Sequence, residues 1–411
     1  MENTTDESTA AQILSPLVSF YRFAEKLLGS RFWQIQVVIL CVVMAGVMQT
    51  PRYQYYYRYA IAKSGENHIF TALDKQVSEP LGSTNFAPES HQSKMAFRLL
   101  VPLLLKGLHI PSAGYLGLQF VFGLLMLYAL TKLLHDITQD RLATALLLLG
   151  LSCTYFGCAY LTDVLTLLDA FSYALLVFMM LFRSPLVLAP LMVLGAFNDE
   201  RTIVAIPIVM LWHACRNSDL LHEKSWGLLL KRVVANPQVL ALLLGIGLYV
   251  AIRLSLASVF HLKTVDGYVG FSALALNALA GTLDTALFSG LESFWVILVA
   301  SLLLLLSLRA YRLLLLLLLA LMPIFLGSFL VFDVTRSISY GTPVFLLSLY
   351  LLRPYLTRVN LRHLAAVVMF GAVFIPTTSV MCTAMPLPSA FNFIIYKVFA
   401  KSAQGMQPPT D

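Results

Sequence analysis

Residues 195–207 read GAFNDERTIVAIP, so Asp199, Glu200 and Arg201 stand side by side in a stretch that is otherwise almost wholly apolar. At membrane depth each such group costs roughly 2.5–3.5 kcal/mol even on the lenient insertion scale, which makes it a functional candidate by default. The chemistry open to these residue types is definite. A carboxylate can take up a proton, and the planar fork of an arginine can bind an oxyanion through two hydrogen bonds. The structural alternative is a helix start, with Asn198 as N-cap and Asp199 and Glu200 in a first turn favoured by the helix dipole. Capping accounts for one or two polar residues there but does not require three charges.

Other residues of the same kind are spread along the chain. Asp163, in YLTDVLTLLDAF, is placed to open a helix after a short turn, as N-cap or as acid, while Asp169 lies six residues on and off its face. Asp333 and Arg336, in FLVFDVTRSISYGTPV, are spaced i,i+3 and pair if one helix runs through them, with Ser337, Ser339 and Tyr340 adding hydroxyls nearby. Arg98, in MAFRLLVPLLLKGLHIP, and Arg253 can snorkel to headgroups or meet an anionic lipid head. Glu66, Asp74, Glu79 and Glu89 cannot be ranked among themselves.

The elements that must position these groups are membrane helices. The chain is 59% hydrophobic and 12% charged, against about 25% charged in an ordinary soluble domain. Apolar segments fall near 33–50, 112–131, 142–160, 164–182, 238–258, 291–308, 313–332, 337–352 and 364–382. Residues 184–215 are too long for one crossing and short for two, so they are expected to form a hairpin of two short helices with Asn198–Arg201 at its tip. An all-α polytopic protein with about 10–11 transmembrane or re-entrant helices follows. Its expected parts are a cytoplasmic N-terminal segment (1–32), a membrane domain (33–382) with a long outer loop (51–111), and a short tail (383–411).

Lys and Arg set the orientation. With the N-terminus inside, the inner connections carry Lys132, Arg141, Arg183, Arg216, Lys231, Arg232, Arg309, Arg312, Arg353, Arg358 and Arg362, while the short outer ones carry little. Asp163, Asn198–Arg201, Arg253, Asp333 and Arg336 then all fall at the outer side, beneath the long loop. That loop opens with RYQYYYRYA (52–60), suited to an interfacial aromatic belt or to stacking on sugar rings. Its residues 95–111 are expected to form an amphipathic helix lying in the outer interface or re-entering it, and FNFIIYKVFAKSA in the tail reads at most as an interfacial helix. The five cysteines show no metal or redox spacing, and no basic stripe suggests nucleic acid.

Together, the first helix and long outer loop, FRLLVP (97–102), the outer-edge Asp163, the hairpin with NDERTIVAIP and the late DVTRSISYGTP (333–343) resemble bacterial polytopic glycosyltransferases of the C-type fold (GT-C). The resemblance spans roughly 33–382 and rests on short motifs. It implies a polyprenyl-phosphate-linked sugar donor, a glycan, lipid or protein acceptor, and a site on the outer face of the bacterial inner membrane. One feature departs from the family. The junction after the first helix, MQTPRYQYYYRYA, has no carboxylate before Glu66, where well-described members carry a catalytic acid.

On this reading the base lies farther along the loop or is Asp163 or Glu200, Asp199 positions, and Arg98, Arg201, Arg253 and Arg336 compete for the donor phosphate, with Asp333 beside Arg336. A divalent cation such as Mg²⁺ is compatible with carboxylates facing an anionic donor, but no ligand spacing demands one. A polymerase or ligase of lipid-linked glycans is chemically close. A lipid or solute transporter or flippase is the other class, although midplane sites and repeats would be expected of it.

Overall fold

The computed structural model describes residues 23–49, 68–82, 95–111, 114–163, 168–223, 225–262, 283–329, 333–375, 378–381 and 383–386. Among these residues the regular elements are helices, apart from one short antiparallel ribbon. In chain order the helices are α1 (Trp33–Met48), α2 (His68–Ser78), α3 (Leu100–Gly107), α4 (Tyr115–Thr138), α5 (Arg141–Cys153) and α6 (Tyr155–Thr162). They continue with α7 (Asp169–Leu181), α8 (Pro185–Asn198), α9 (Arg201–Asn217), α10 (Trp226–Val234), α11 (Pro237–Phe260) and α12 (Leu283–Leu291). The last are α13 (Trp295–Ser307), α14 (Tyr311–Phe329), α15 (Val334–Ser339), α16 (Pro343–Leu352) and α17 (Arg358–Phe374).

The helix boundaries follow from caps. Asp140 accepts from the Ala143 amide at the start of α5, Thr154 from Gly157 at α6 and Asn236 from Gln238 and Val239 at α11, where Pro237 supplies a preset first turn. Between the caps lie Leu-rich runs. Their inner faces form one continuous core, while Leu244, Leu254, Val259 and Leu303 on the outer faces stay exposed, as lipid-facing side chains do.

Four helical segments, Tyr115–Thr138, Pro237–Phe260, Leu287–Ser307 and Tyr311–Phe329, are long and apolar enough to cross a bilayer. A fifth crossing arises if α5 and α6, bent by 57° at their junction, count as one broken span. This is a multi-pass membrane protein. Several expected segments are shorter than a full crossing: α1, α7 and α8 have 16, 13 and 14 residues. The hairpin expected over 184–215 is present as α8 and α9, with its turn at Asp199–Glu200.

Three local expectations are corrected. The apolar segment 364–382 does not run on as helix: α17 ends at Phe374, and Thr378–Met381 pairs antiparallel with Thr383–Pro386. The amphipathic helix of the first loop is reduced to α3, preceded by a single 3-10 turn over 95–97. Asp163 does not open a helix but closes α6 as its C-cap residue. The stretches RYQYYYRYA and FNFIIYKVFAKSA lie outside the described residues, as do Glu66 and Glu89.

Neighbouring helices pack as α8 on α11, α5 on α17, α4 on α7 and α9 on α14. The first-loop helices also join the body. Leu73 of α2 and Val101 and Leu105 of α3 are buried with Tyr115, Leu168 and Phe171. Gln76 ties α2 to the chain before α3 by donating to the Met95 carbonyl at 2.8 Å. These helices therefore lie over the end of α4 at which Tyr115 sits. The 24 residues of α4 rise about 36 Å, so its two ends define two separate faces of the molecule.

Candidate functional site

The site is built where chain breaks turn polar residues inward. At the end of α6 the chain leaves the helix at Asp163, and it re-enters one at Asp169 through Leu168, whose φ of 66° is left-handed. The Asp163 side chain meets the start of α4 and the start of α7. Its Oδ2 accepts from the Tyr115 hydroxyl at 3.2 Å and from the Asp169 backbone amide at 3.1 Å. Its own carbonyl accepts from Gln119 at 2.9 Å. Asp163 is thus a fixed, buried brace between the end of α6 and the start of α7.

Asp169 stands at the centre of the ionic cluster and is fully buried. Arg336 holds it bidentately, Nε on Oδ2 at 2.6 Å and Nη2 on Oδ1 at 2.9 Å. Tyr155 donates to Oδ2 at 2.8 Å, and Arg201 lies 3.5 Å from Oδ1. The same Arg336 pairs with Asp333 through Nη1 at 2.6 Å, the i,i+3 contact anticipated from spacing. Asp333 sits at the N-cap position of α15 without capping it.

The hairpin tip completes the cluster. Asp199 is gripped by Arg201, with Nε on Oδ1 at 3.0 Å and Nη2 on Oδ2 at 2.6 Å. It also takes Arg98 from the first loop at 3.1 Å. Arg201 donates further to the Ser337 hydroxyl at 3.3 Å and lies over the ring of Tyr340. Asn198 is not the N-cap of α9: it is the last residue of α8, and its amide donates to the Leu168 carbonyl and the Ser172 hydroxyl, both at 2.7 Å. The turn is stabilised instead by Asp199, whose Oδ1 accepts from the Arg201 backbone amide at 3.0 Å. Glu200 points away from Asp199 and pairs with Arg253 of α11, which also donates to Tyr249 and lies over the ring of Phe97. Adjacent residues of FRLLVP, Phe97 and Arg98, therefore meet Arg253 and Asp199 respectively.

All eight sequence candidates, Arg98, Asp163, Asp199, Glu200, Arg201, Arg253, Asp333 and Arg336, belong to this connected region. Their accessibility separates them. The Glu200 side chain is 51% exposed, and Arg98, Arg201 and Arg253 keep 19%, 20% and 23%, whereas Arg336 keeps 6%. The first four can meet a ligand; Arg336 is committed to Asp169 and Asp333. Arg98 and Arg253 do not simply snorkel, because both are tied to carboxylates of the tip. Asp169, Tyr115 and Tyr155 are central here, and their order along the chain gave little sign of it.

Among the described residues no three His, Cys, Asp or Glu side chains are grouped as metal ligands. The site carboxylates turn to arginine, tyrosine and backbone N–H partners.

No family model, no curated protein and no solved structure matches the chain.

Proposed function

We propose that the chain is a membrane-embedded glycosyltransferase that takes its sugar from a polyprenyl-phosphate-linked donor. The observation that carries this reading is the surface of the hairpin tip. One exposed carboxylate, Glu200, stands among three partly exposed arginines, Arg98, Arg201 and Arg253, on a framework of buried ion pairs. A buried pair seldom repays its desolvation in stability. A network of this size is better explained by holding arginines in a fixed array for an anionic group.

Transfer needs few parts. The acceptor hydroxyl attacks the anomeric carbon while the bond from that carbon to the phosphate oxygen breaks. Glu200 takes the hydroxyl proton, a contribution of about 10²–10⁴-fold. The electron pair of the broken bond stays on the polyprenyl phosphate, whose growing charge faces Arg98, Arg201 and Arg253 in a partly dry setting where such contacts are strong. Glu200 is favoured over Asp163 as the base because Asp163 is enclosed and already accepts two hydrogen bonds. Asp199 orients Arg201 and Arg98. Arg336, Asp169 and Asp333 form the scaffold beneath. Under the orientation derived from Lys and Arg, the site faces away from the cytoplasm, at the bacterial inner membrane, and the acceptor is a glycan, lipid or protein on that side.

The test is direct. Purified protein is incubated with synthetic polyprenyl-phosphate sugars and candidate acceptors, and released polyprenyl phosphate is quantified. Release that depends on acceptor and disappears in Glu200→Gln is expected. No release with any of several sugars, together with lipid movement across vesicles, would replace this reading with that of a flippase.

A further inference from the structure

At the end of α4 and α9 remote from the ionic cluster lies a cleft of about 520 Å³ that the reading above does not use. Its volume falls in the range of small-ligand sites, about 300–1,000 Å³. The last turn of α9, the chain just after it, the end of α16 and the turn at Arg353–Tyr355 form its walls. Leu313 and Pro354 supply apolar surface.

Arg216 is the unusual group in this cleft. Its side chain is only 12% exposed, and its guanidinium lies 4.9 Å from the centre of the Trp212 ring. Its ion pair with Asp136 is stretched to 4.0 Å, beyond hydrogen-bond range. Its five N–H groups find no hydrogen-bond acceptor among the described residues. Arg353, also in the wall, is fixed by Nε to the Thr138 carbonyl at 3.0 Å and by Nη1 to the Leu356 carbonyl at 3.2 Å. Its Nη2 has no acceptor among the described residues. The acids at the rim do not neutralise this pair. Asp136 is 58% exposed, and Asp219 is 64% exposed and engaged with His222 at 2.8 Å. Solvent screens both, while a sunken guanidinium lacking hydrogen bonds is costly.

We propose that this cleft binds a phosphate ester, with Arg216 and Arg353 as its ligands. Two planar forks with free N–H groups suit a tetrahedral oxyanion, which offers more than one pair of oxygens. The apolar wall suits the organic part of the ester. The cleft lies at the basic end of the helices, where the sequence places the cytoplasmic surface, so both a lipid headgroup and a small soluble phosphate can reach it. The inference is independent of any sugar-transfer activity.

Delipidated protein in dodecyl maltoside, a detergent without phosphate, separates the two sources. Native mass spectrometry measures retained phosphatidylglycerol, and calorimetry measures inorganic phosphate. Wild type is expected to bind one of them at a site that Arg216→Gln weakens about tenfold, with unchanged elution and melting temperature. Dependence of lipid retention on Arg216 identifies a headgroup site, and dependence of phosphate binding alone identifies a soluble ligand. Asp136→Asn removes an exposed repelling charge and should tighten binding about threefold; it decides the matter if Arg216→Gln does not fold. Binding of both probes that is indifferent to the folded variants overturns the proposal.

Discussion

Arg336 and Asp169 stand 167 residues apart in the chain and meet side-on, two nitrogens on two oxygens at 2.6 and 2.9 Å. This contact locks the start of α7 to the short helix α15. Because Asp169 is fully buried, its removal would leave a guanidinium that is itself 6% exposed with its bidentate partner gone and the contact to Asp333 in place. Breaking such a pair from one side costs about 3–5 kcal/mol. Asp169→Ala and Arg336→Ala should each lower the melting temperature of the detergent-purified protein sharply. The double variant should lose clearly less than the sum of the two. Strict additivity would mean that the contact contributes no coupling.

The hairpin tip should separate stability from activity. Glu200 is half exposed and joined to Arg253 at the surface, a position where an ion pair contributes about 0–1 kcal/mol. Glu200→Gln is therefore expected to melt like wild type while the proposed sugar transfer slows about 10²–10⁴-fold. Asp199→Asn should behave differently, because Arg201 and Arg98 both lean on that carboxylate. Melting temperature and rate should fall together. Equal effects of the two substitutions on melting would show that exposure does not distinguish them.

Much of this region was legible where neighbours in sequence become neighbours in space. The hairpin followed from counting residues against bilayer thickness, and the Asp333–Arg336 contact followed from helical spacing. Asp169 was not legible in the same way. Reading 163–182 as continuous helix places it on another face from Asp163, whereas α6 ends before Asp163 and α7 begins at Asp169 after the left-handed Leu168, with the Asp169 amide on the Asp163 carboxylate. The partners of Arg98 and Arg253 were hidden for a related reason. Both look like headgroup anchors along their own segments, and only the packing of α8 on α11 and of the first loop on the tip supplies Glu200 and Asp199. Asp140 had no local signature, because the arginines that hold it, Arg358 and Arg362, lie 218 and 222 residues away along the chain.

The break between α5 and α6 depends on a close approach at Gly157. A β-carbon there would lie 1.9 Å from the Leu151 carbonyl oxygen, a backbone atom that cannot move aside cheaply. Gly157→Ala should therefore force the two helices apart, at about 1–3 kcal/mol, and shift Asp163 at the far end of α6. Gly247, within α11, has nothing within 4 Å of the same position. There the substitution should instead stabilise by about 0.5–1 kcal/mol through helix propensity. Opposite shifts in melting temperature are expected; a shared sign would mean that packing at the break does not require glycine.

Asp140 gives the face opposite the ionic cluster its own acid-sensitive joint. Its side chain is 1% exposed, caps α5 through the Ala143 amide at 2.9 Å, and accepts from Arg358 and, at 2.9 Å, from Arg362 of α17. Burial pushes its pKa up, but the Ala143 amide and the two arginines outweigh burial and hold the carboxyl below its ordinary 3.8. A folded-state value below the unfolded one means that the native state binds the proton less readily. The stabilisation is therefore complete above the unfolded value and is lost as pH falls through the folded one. Asp140→Asn keeps a capping oxygen but loses the charge, and should be less stable than wild type by about 1–2 kcal/mol at neutral pH. Melting curves of the two proteins should keep their separation from pH 7 to about 5 and converge below about 4. A separation that persists undiminished at pH 3 would show that the charge on Asp140 does not hold α17 to α5.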